Sequence, residues 1–308
     1  MIEAEVGEYE RREIDAQVNR ILRDLGNPEP PIRLAEVRKL LNLDLRYYKS
    51  TDPGLLDELS HRFRLFARKT IPDVGKYLSE ALTKSKLTAF WVPASMRILL
   101  DETVPEPKHR WIESHEISHS VIGWHKDFLL GDNNVTLDPT CHATIEAEAN
   151  YGAGRLLFMT DRFATEARDL RPNFETVKRL AKRYDNSIVS TFWRLIESRD
   201  PEQAMFGVVS SHPRFPEIGA HDGPMAWRYF IRSPAFKSSF SNIEPEMAFS
   251  FVKAHATNRT RGPVFEVTDV LTDARGEGWE FRIECFSTTR AVLTLGVASN
   301  RRAAVFGG

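Results

Sequence analysis

Hydrophobic positions near the start of the chain recur at helical spacing. Ile14, Val18, Ile21, Leu22 and Leu25 fall on one face and Gly26 follows, so a helix ending at the glycine is expected. "NPEPP" interrupts the pattern. "IRLAEVRKLLNLDLRYY" then reads as an amphipathic helix followed by a strand, and residues 57–86 read as helical and highly charged. "LTAFWVP" and "MRILLDE" read as two short strands paired through "PAS". Helical spacing returns in "WIESHEISHSV" and, after a loop rich in Asp and Asn, in "TIEAEANYGAGRLLFM". "NFETVKRLAKRYDNSIVSTFWRLIES" reads as helix, short turn, helix, with Asn173 and either Asn186 or Ser187 as caps. "SSHPRFPEIGAHDGP" has the composition of a linker between domains. Beyond it, "VFEVTDVL", "EFRIECFS" and "AVLTLGV" alternate as strands, with "DARGEGW" as a turn. "MAWRYFI" and "PEMAFSFVKAHA" read as helices packed on their sheet. The pattern predicts an α+β protein in three parts. These are a helical domain with a small sheet at 1–165, a helix-turn-helix-like segment at 166–215, and a strand-rich α+β module at 216–308.

Composition excludes several classes. The chain has 308 residues, 42% hydrophobic and 28% charged, which suits a folded core. No apolar run approaches the roughly 20 residues of a membrane helix. The opening "MIEAEVGEYERREID" lacks the apolar core of a secretory signal. Two cysteines, Cys141 and Cys285, make no disulfide framework. A cytoplasmic protein with reduced thiols and no membrane partner is expected. Net charge −1 argues against a whole-protein nucleic-acid footprint. "VKRLAKR" nevertheless places Lys178, Arg179, Lys182 and Arg183 in a short run, which raises DNA contact through 173–198 as one option. A solvated basic face on a packing helix is the plainer alternative.

The chemically specific stretch is "WIESHEISHSVIGWH". His115 and His119 are four apart, so on a helix both imidazoles can address one ion. Glu116 follows the first histidine, where a carboxylate can act as general base on water without competing for the metal. A catalytic zinc takes three protein ligands and keeps one position open. His125 lies ten residues after His115, the spacing of a metzincin third ligand. The glycine that such a motif needs is displaced by one, to Gly123. The alternative description of His125 is a polar residue just past the helix end. Glu146 is the other candidate third ligand, with Asn150 on the same face to orient a ligand histidine. Ala149 and Ala153 share that face and permit close helix approach. Glu148 points elsewhere and reads as a solvated carboxylate.

"HEISH" followed by "EAEANYGAGRLLFM" resembles the ImmA/IrrE family of metallopeptidases, which pair HExxH with a downstream Glu-x-x-Ala-Asn/Asp helix. "PPIRLAEVRKLLNLDLRYY" upstream and "LAKRYDNSIVSTFWRLIE" downstream are also similar, so the resemblance spans about residues 9–200, with 57–86 as an insertion. It implies a gluzincin-like domain, zinc on His115, His119 and Glu146 (manganese as a substitute in vitro), and Glu116 as general base. It also implies a zinc-dependent endopeptidase that cuts a helix-turn-helix transcriptional repressor in a stress or mobile-element response. The alternative is a regulatory binding protein with a weakly active metal domain that senses a ligand or contacts a repressor or DNA. Tyr184, Arg183 and His212 are candidates to stabilise an oxyanion. Cys141 and His142 read as loop residues near the site. Where related proteins carry a C-terminal module, it looks like a GAF-type sensor, which suggests that 216–308 selects substrate or receives a signal.

Overall fold

A computed structural model describes residues 6–49, 88–130, 139–211, 226–255, 261–288 and 290–301. The chain divides into two compact units, Met1–Thr160 and Asp161–Gly308. The segment 57–86 lies outside the described residues.

In the first unit, α1 (Glu8–Asp24) buries Ile14, Val18, Ile21 and Leu22, the stripe read from the sequence. It stops at Gly26, whose φ of +75° favours glycine, and the Asn27 and Gly26 amides reach back to Leu22 and Arg23 carbonyls. After α2 (Leu34–Leu40) comes a three-stranded sheet of β1 (Asp44–Tyr48), β2 (Ala89–Val92) and β3 (Arg97–Asp101). Its order is β1-β3-β2, with β1 parallel and β2 antiparallel to β3. The central strand carries Ile98, Leu99 and Leu100, all fully buried. Helix α3 (Glu106–Val121) packs on β2 and β3. It also packs against α5 (Pro139–Leu157), which in turn receives α1. Beyond the helix that carries HEISH comes α4 (Gly123–Leu130). Ile122 alone separates it from α3, with extended backbone at ψ 103°.

The second unit begins with α6 (Asp161–Arg168), α7 (Phe174–Tyr184) and α8 (Ile188–Ser198). Asn173 and Ser187 cap α7 and α8 through their side chains. There follow β4 (Met205–Ser211), β5 (Trp227–Arg232), α9 (Pro234–Ser239), α10 (Pro245–His255), β6 (Gly262–Thr272), β7 (Gly278–Ser287) and β8 (Ala291–Arg301). The five strands form one antiparallel sheet in the order β5-β4-β8-β7-β6. Phe236 of α9, Phe240 just after it, and Phe249 and Val252 of α10 join Phe206, Phe281 and Ile283 in one apolar cluster. Phe192 and Ile196 of α8 cover Gly207, where an added Cβ would strike both side chains, so α8 lies directly on β4. With both faces covered, β4 is buried at every residue.

Two differences from the sequence pattern follow from this sheet. "MAWRYFI" supplies a strand, not a helix: Trp227, Tyr229, Phe230 and Ile231 are strand formers, and pairing with β4 decides a segment too short to hold its own helix. The stretch "SSHPRFPEIGAHDGP" connects β4 to β5, antiparallel neighbours in one sheet, instead of joining two domains. Residues 166–215, expected as a helical piece of their own, therefore include a fully buried strand of the C-terminal sheet.

Candidate metal centre

Helix α3 places His115 and His119 one turn apart, with their Nε2 atoms 3.1 Å from each other. Glu146 on α5 completes the group: its Oε2 is 3.2 Å from His115 Nε2 and its Oε1 is 3.6 Å from His119 Nε2. Three donor atoms thus converge on one point. The helices can approach so closely because small residues line the seam. Ala149 and Ala153 are fully buried, Ser114 Oγ donates to the Ala153 carbonyl at 3.3 Å, and a Cβ on Gly152 would stand 3.0 Å from the Ser118 side chain.

The donor set fits zinc. Tetrahedral bonds of about 2.0–2.1 Å put neighbouring ligand atoms roughly 3.3 Å apart, and the observed separations bracket that spacing. His115 Nδ1 lies 3.1 Å from Asn150 Oδ1, an amide oxygen that can only accept. In the neutral ring that bond leaves the lone pair on Nε2, and in the protonated ring Nε2 donates to Glu146. Burial opposes protonation of His115. The Glu146 hydrogen bond and the Glu116 and Glu146 charges outweigh it and hold the pKa above the ordinary imidazole value.

Glu116 is enclosed, with 6% of its surface exposed. Burial pushes its pKa up to about 7. Neighbouring His115 and a hydrogen bond from the Trp91 backbone draw it down, while the Glu146 charge adds to the rise. Tyr48 at the end of β1 lies in the same electrostatic environment. Its phenol is pushed up to about 12 by burial, with the Asp101 and Glu116 charges contributing.

The two candidates for third ligand lie on different sides of His119. Glu146 joins the cluster, whereas His125 reaches His119 from behind, Nδ1 to Nδ1 at 2.9 Å. His125 is not a polar residue at a helix end, and Glu148 is not a solvated carboxylate. Both are buried, and His125 Nε2 sits 2.8 Å from Glu148 Oε2. The sequence held a signal for Glu148: it shares a helical stripe with Ile145, Ala149 and Gly152. His125 was harder to place, because the turn at Ile122 folds α4 back toward α3.

The remaining candidates lie elsewhere. Tyr184 is fully buried in the second unit and packed edge-on against Phe163, so it is a core residue there. Arg183 pairs with Glu166 at 2.6 Å. Of the other basic residues in 173–198, Lys178 pairs with Glu175 and lies over the Phe286 ring. His212 and the side chains of Cys141 and His142 lie outside the described residues. Among the described residues, no helix is long and apolar enough to cross a membrane.

Comparison with known proteins bears on the same segment. Residues 76–195 match the family model described as Peptidase M78, IrrE N-terminal-like domain. No curated protein matches the chain. A solved structure described as a Mycobacterium tuberculosis transcriptional regulator aligns over 96% of this chain and 92% of its own, with 12% identity and a TM-score of 0.51, a likeness of fold. The matched segment contains His115, Glu116, His119 and Glu146, and over residues 76–195 the chain is similar to the IrrE N-terminal-like domain.

Proposed function

We propose that the chain is a regulatory metalloprotein, in which a peptidase-type metal domain is joined to a sensor module. His115, His119 and Glu146 hold zinc, and the second unit receives a ligand or contacts a repressor or DNA. The observation that carries this is the convergence of three ligand atoms from two helices, the His-His-Glu arrangement of a gluzincin. The regulatory half is supported by a fold likeness that runs over both units to a protein described as a transcriptional regulator. The antiparallel sheet with α9 and α10 against it supports a GAF-type sensor role for the second unit.

A second reading is favoured by Glu116. A scaffold has no need of a buried carboxylate beside a metal ligand, whereas a hydrolase does. Zinc, when bound, supplies a Lewis acid that polarises a carbonyl and acidifies water. Glu116, with a pKa of about 7, is matched to accept a proton from attacking water at neutral pH and to return it to the departing amine. Asn150 holds His115 in the required tautomer. On this reading the chain is a zinc endopeptidase, and its substrate is a helix-turn-helix repressor.

One experiment separates the two. The full-length protein is incubated with a small helix-turn-helix repressor from the same source, with zinc, with manganese and with a chelator. Stable association without cleavage supports the regulatory reading. Metal-dependent cleavage that Glu116→Gln abolishes, with metal content retained, supports the peptidase. Neither association nor cleavage would sink the repressor as partner.

A further inference from the structure

Behind the metal ligands runs a line of polar groups that the hydrolytic chemistry does not use. Trp124 Nε1 lies 2.6 Å from Glu148 Oε2, His125 Nε2 lies 2.8 Å from the same oxygen, and His125 Nδ1 lies 2.9 Å from His119 Nδ1. His125 is 0% exposed, Glu148 3% and His119 5%. Water therefore does not mediate between them, and each bond must be satisfied within the line.

The direction of every bond follows from donor chemistry. An indole N–H only donates, and a carboxylate only accepts. Glu148 Oε2 already accepts from the Trp124 indole, and as the shared acceptor it takes the His125 bond from Nε2. A neutral imidazole with its proton on Nε2 carries a lone pair on Nδ1, so His125 accepts there. The proton between the two rings then sits on His119 Nδ1. The His119 lone pair is left on Nε2, directed at His115 Nε2 and Glu146. In water the neutral histidine side chain prefers the opposite tautomer, so this one has to be imposed.

We infer that Trp124, Glu148 and His125 are positioning residues that fix the tautomer of His119 before a metal arrives. The two ligand histidines are thus set by different means. His115, at the open side, is held by the amide of Asn150. His119, at the closed side, is held by a carboxylate acting through a second imidazole. The arrangement suits a cation that binds neutral imidazole nitrogen, and zinc belongs to that class. Trp124 locks the inner carboxylate in place, which stops Glu148 from turning away from His125.

The inference rests on the metal reading, and its test keeps the two apart. In metal-free, full-length wild-type protein at about pH 8, long-range proton–nitrogen NMR on labelled histidines reports each tautomer. His119 is expected to carry its proton on Nδ1 and His125 on Nε2. Glu148→Leu and His125→Phe should return His119 to the Nε2 proton. Both should weaken zinc binding, measured by chelator competition, about 10- to 100-fold. Glu148→Gln, whose amide oxygen still accepts from His125, should keep the tautomer and most of the affinity. A wild-type His119 protonated on Nε2, or a Glu148→Leu protein that binds zinc as tightly as wild type, would overturn the inference. Wild-type protein with the Nδ1 proton that binds no zinc would instead overturn the metal reading and leave the tautomer assignment standing.

Discussion

The two units bury charge in opposite ways. In the first, His119, His125 and Glu148 form one line at the seam between α3, α4 and α5, and buried Glu116 lies in the field of His115 and Glu146. In the second, the buried charges Arg199 and Asp273 are scattered, and each bonds mainly to backbone. Arg199 donates to the carbonyls of Ala167, Arg168 and Leu170, closing the end of α6. Asp273 accepts from the amides of Arg275 and Glu277 and from Trp279 Nε1, closing the turn before β7. Burying a charge is costly wherever it happens. Where the partner is a loop, the cost is offset by a defined fold. Where the partners are other titratable groups, the fold gains little, and the arrangement points to a ligand that completes it.

The contrast can be broken at its strongest point by removing a ligand. Glu146→Ala is expected to weaken zinc binding by more than about 100-fold, beyond the range of outer-shell changes, while Glu175→Ala in the second unit leaves it unchanged. Equilibrium dialysis with elemental analysis reads the difference, and equal zinc in both variants would erase the distinction between the seam and the rest of the chain.

Glu116 sharpens it next. Its folded pKa of about 7 lies above the ordinary 4.5. Between those values the unfolded chain releases a proton that the folded chain keeps, so stability is highest below pH 4.5 and declines as pH rises to about 7. Glu116→Gln removes that loss. Metal-free Glu116→Gln should be more stable than wild type by about 3 kcal/mol at pH 8 and nearly equal to it at pH 4.5. Urea unfolding at the two pH values measures this, and a pH-independent difference would contradict the burial cost.

Charges that serve the fold should behave in reverse. Arg199→Ala leaves three carbonyls without their donor and should destabilise the second unit by about 2–3 kcal/mol, with zinc affinity unaltered. The smallest effect is expected at the helix caps. Asn173→Ala, which deprives the Thr176 amide of its acceptor, should cost about 1 kcal/mol in thermal or chemical unfolding.

What the sequence revealed tracks the distance over which each feature is specified. His115 and His119 need only four-residue spacing on one helix, and the caps at Asn173 and Ser187 are equally local. Glu146 and Asn150 were visible because Ala149 and Ala153 mark a face on which α5 can approach α3. The line through His125 and Glu148 was not visible, because it depends on the single extended residue Ile122 that redirects the chain. In the second unit, β4 lacks alternation because helices cover both its faces, and an unbroken apolar run carries no strand period. β5 is a six-residue aromatic strand whose identity comes from its neighbour, so its pattern alone suggested a helix.

The ligand set itself is open to direct measurement. Zinc K-edge X-ray absorption on the full-length, zinc-loaded protein reports the number and kind of atoms around the metal. His115, His119 and Glu146 require two imidazoles, with oxygen filling the remaining positions, all at about 2.0–2.2 Å. A third imidazole would bring His125 onto the metal, and a sulfur at about 2.3 Å would bring in a cysteine. Either result would contradict the centre described here.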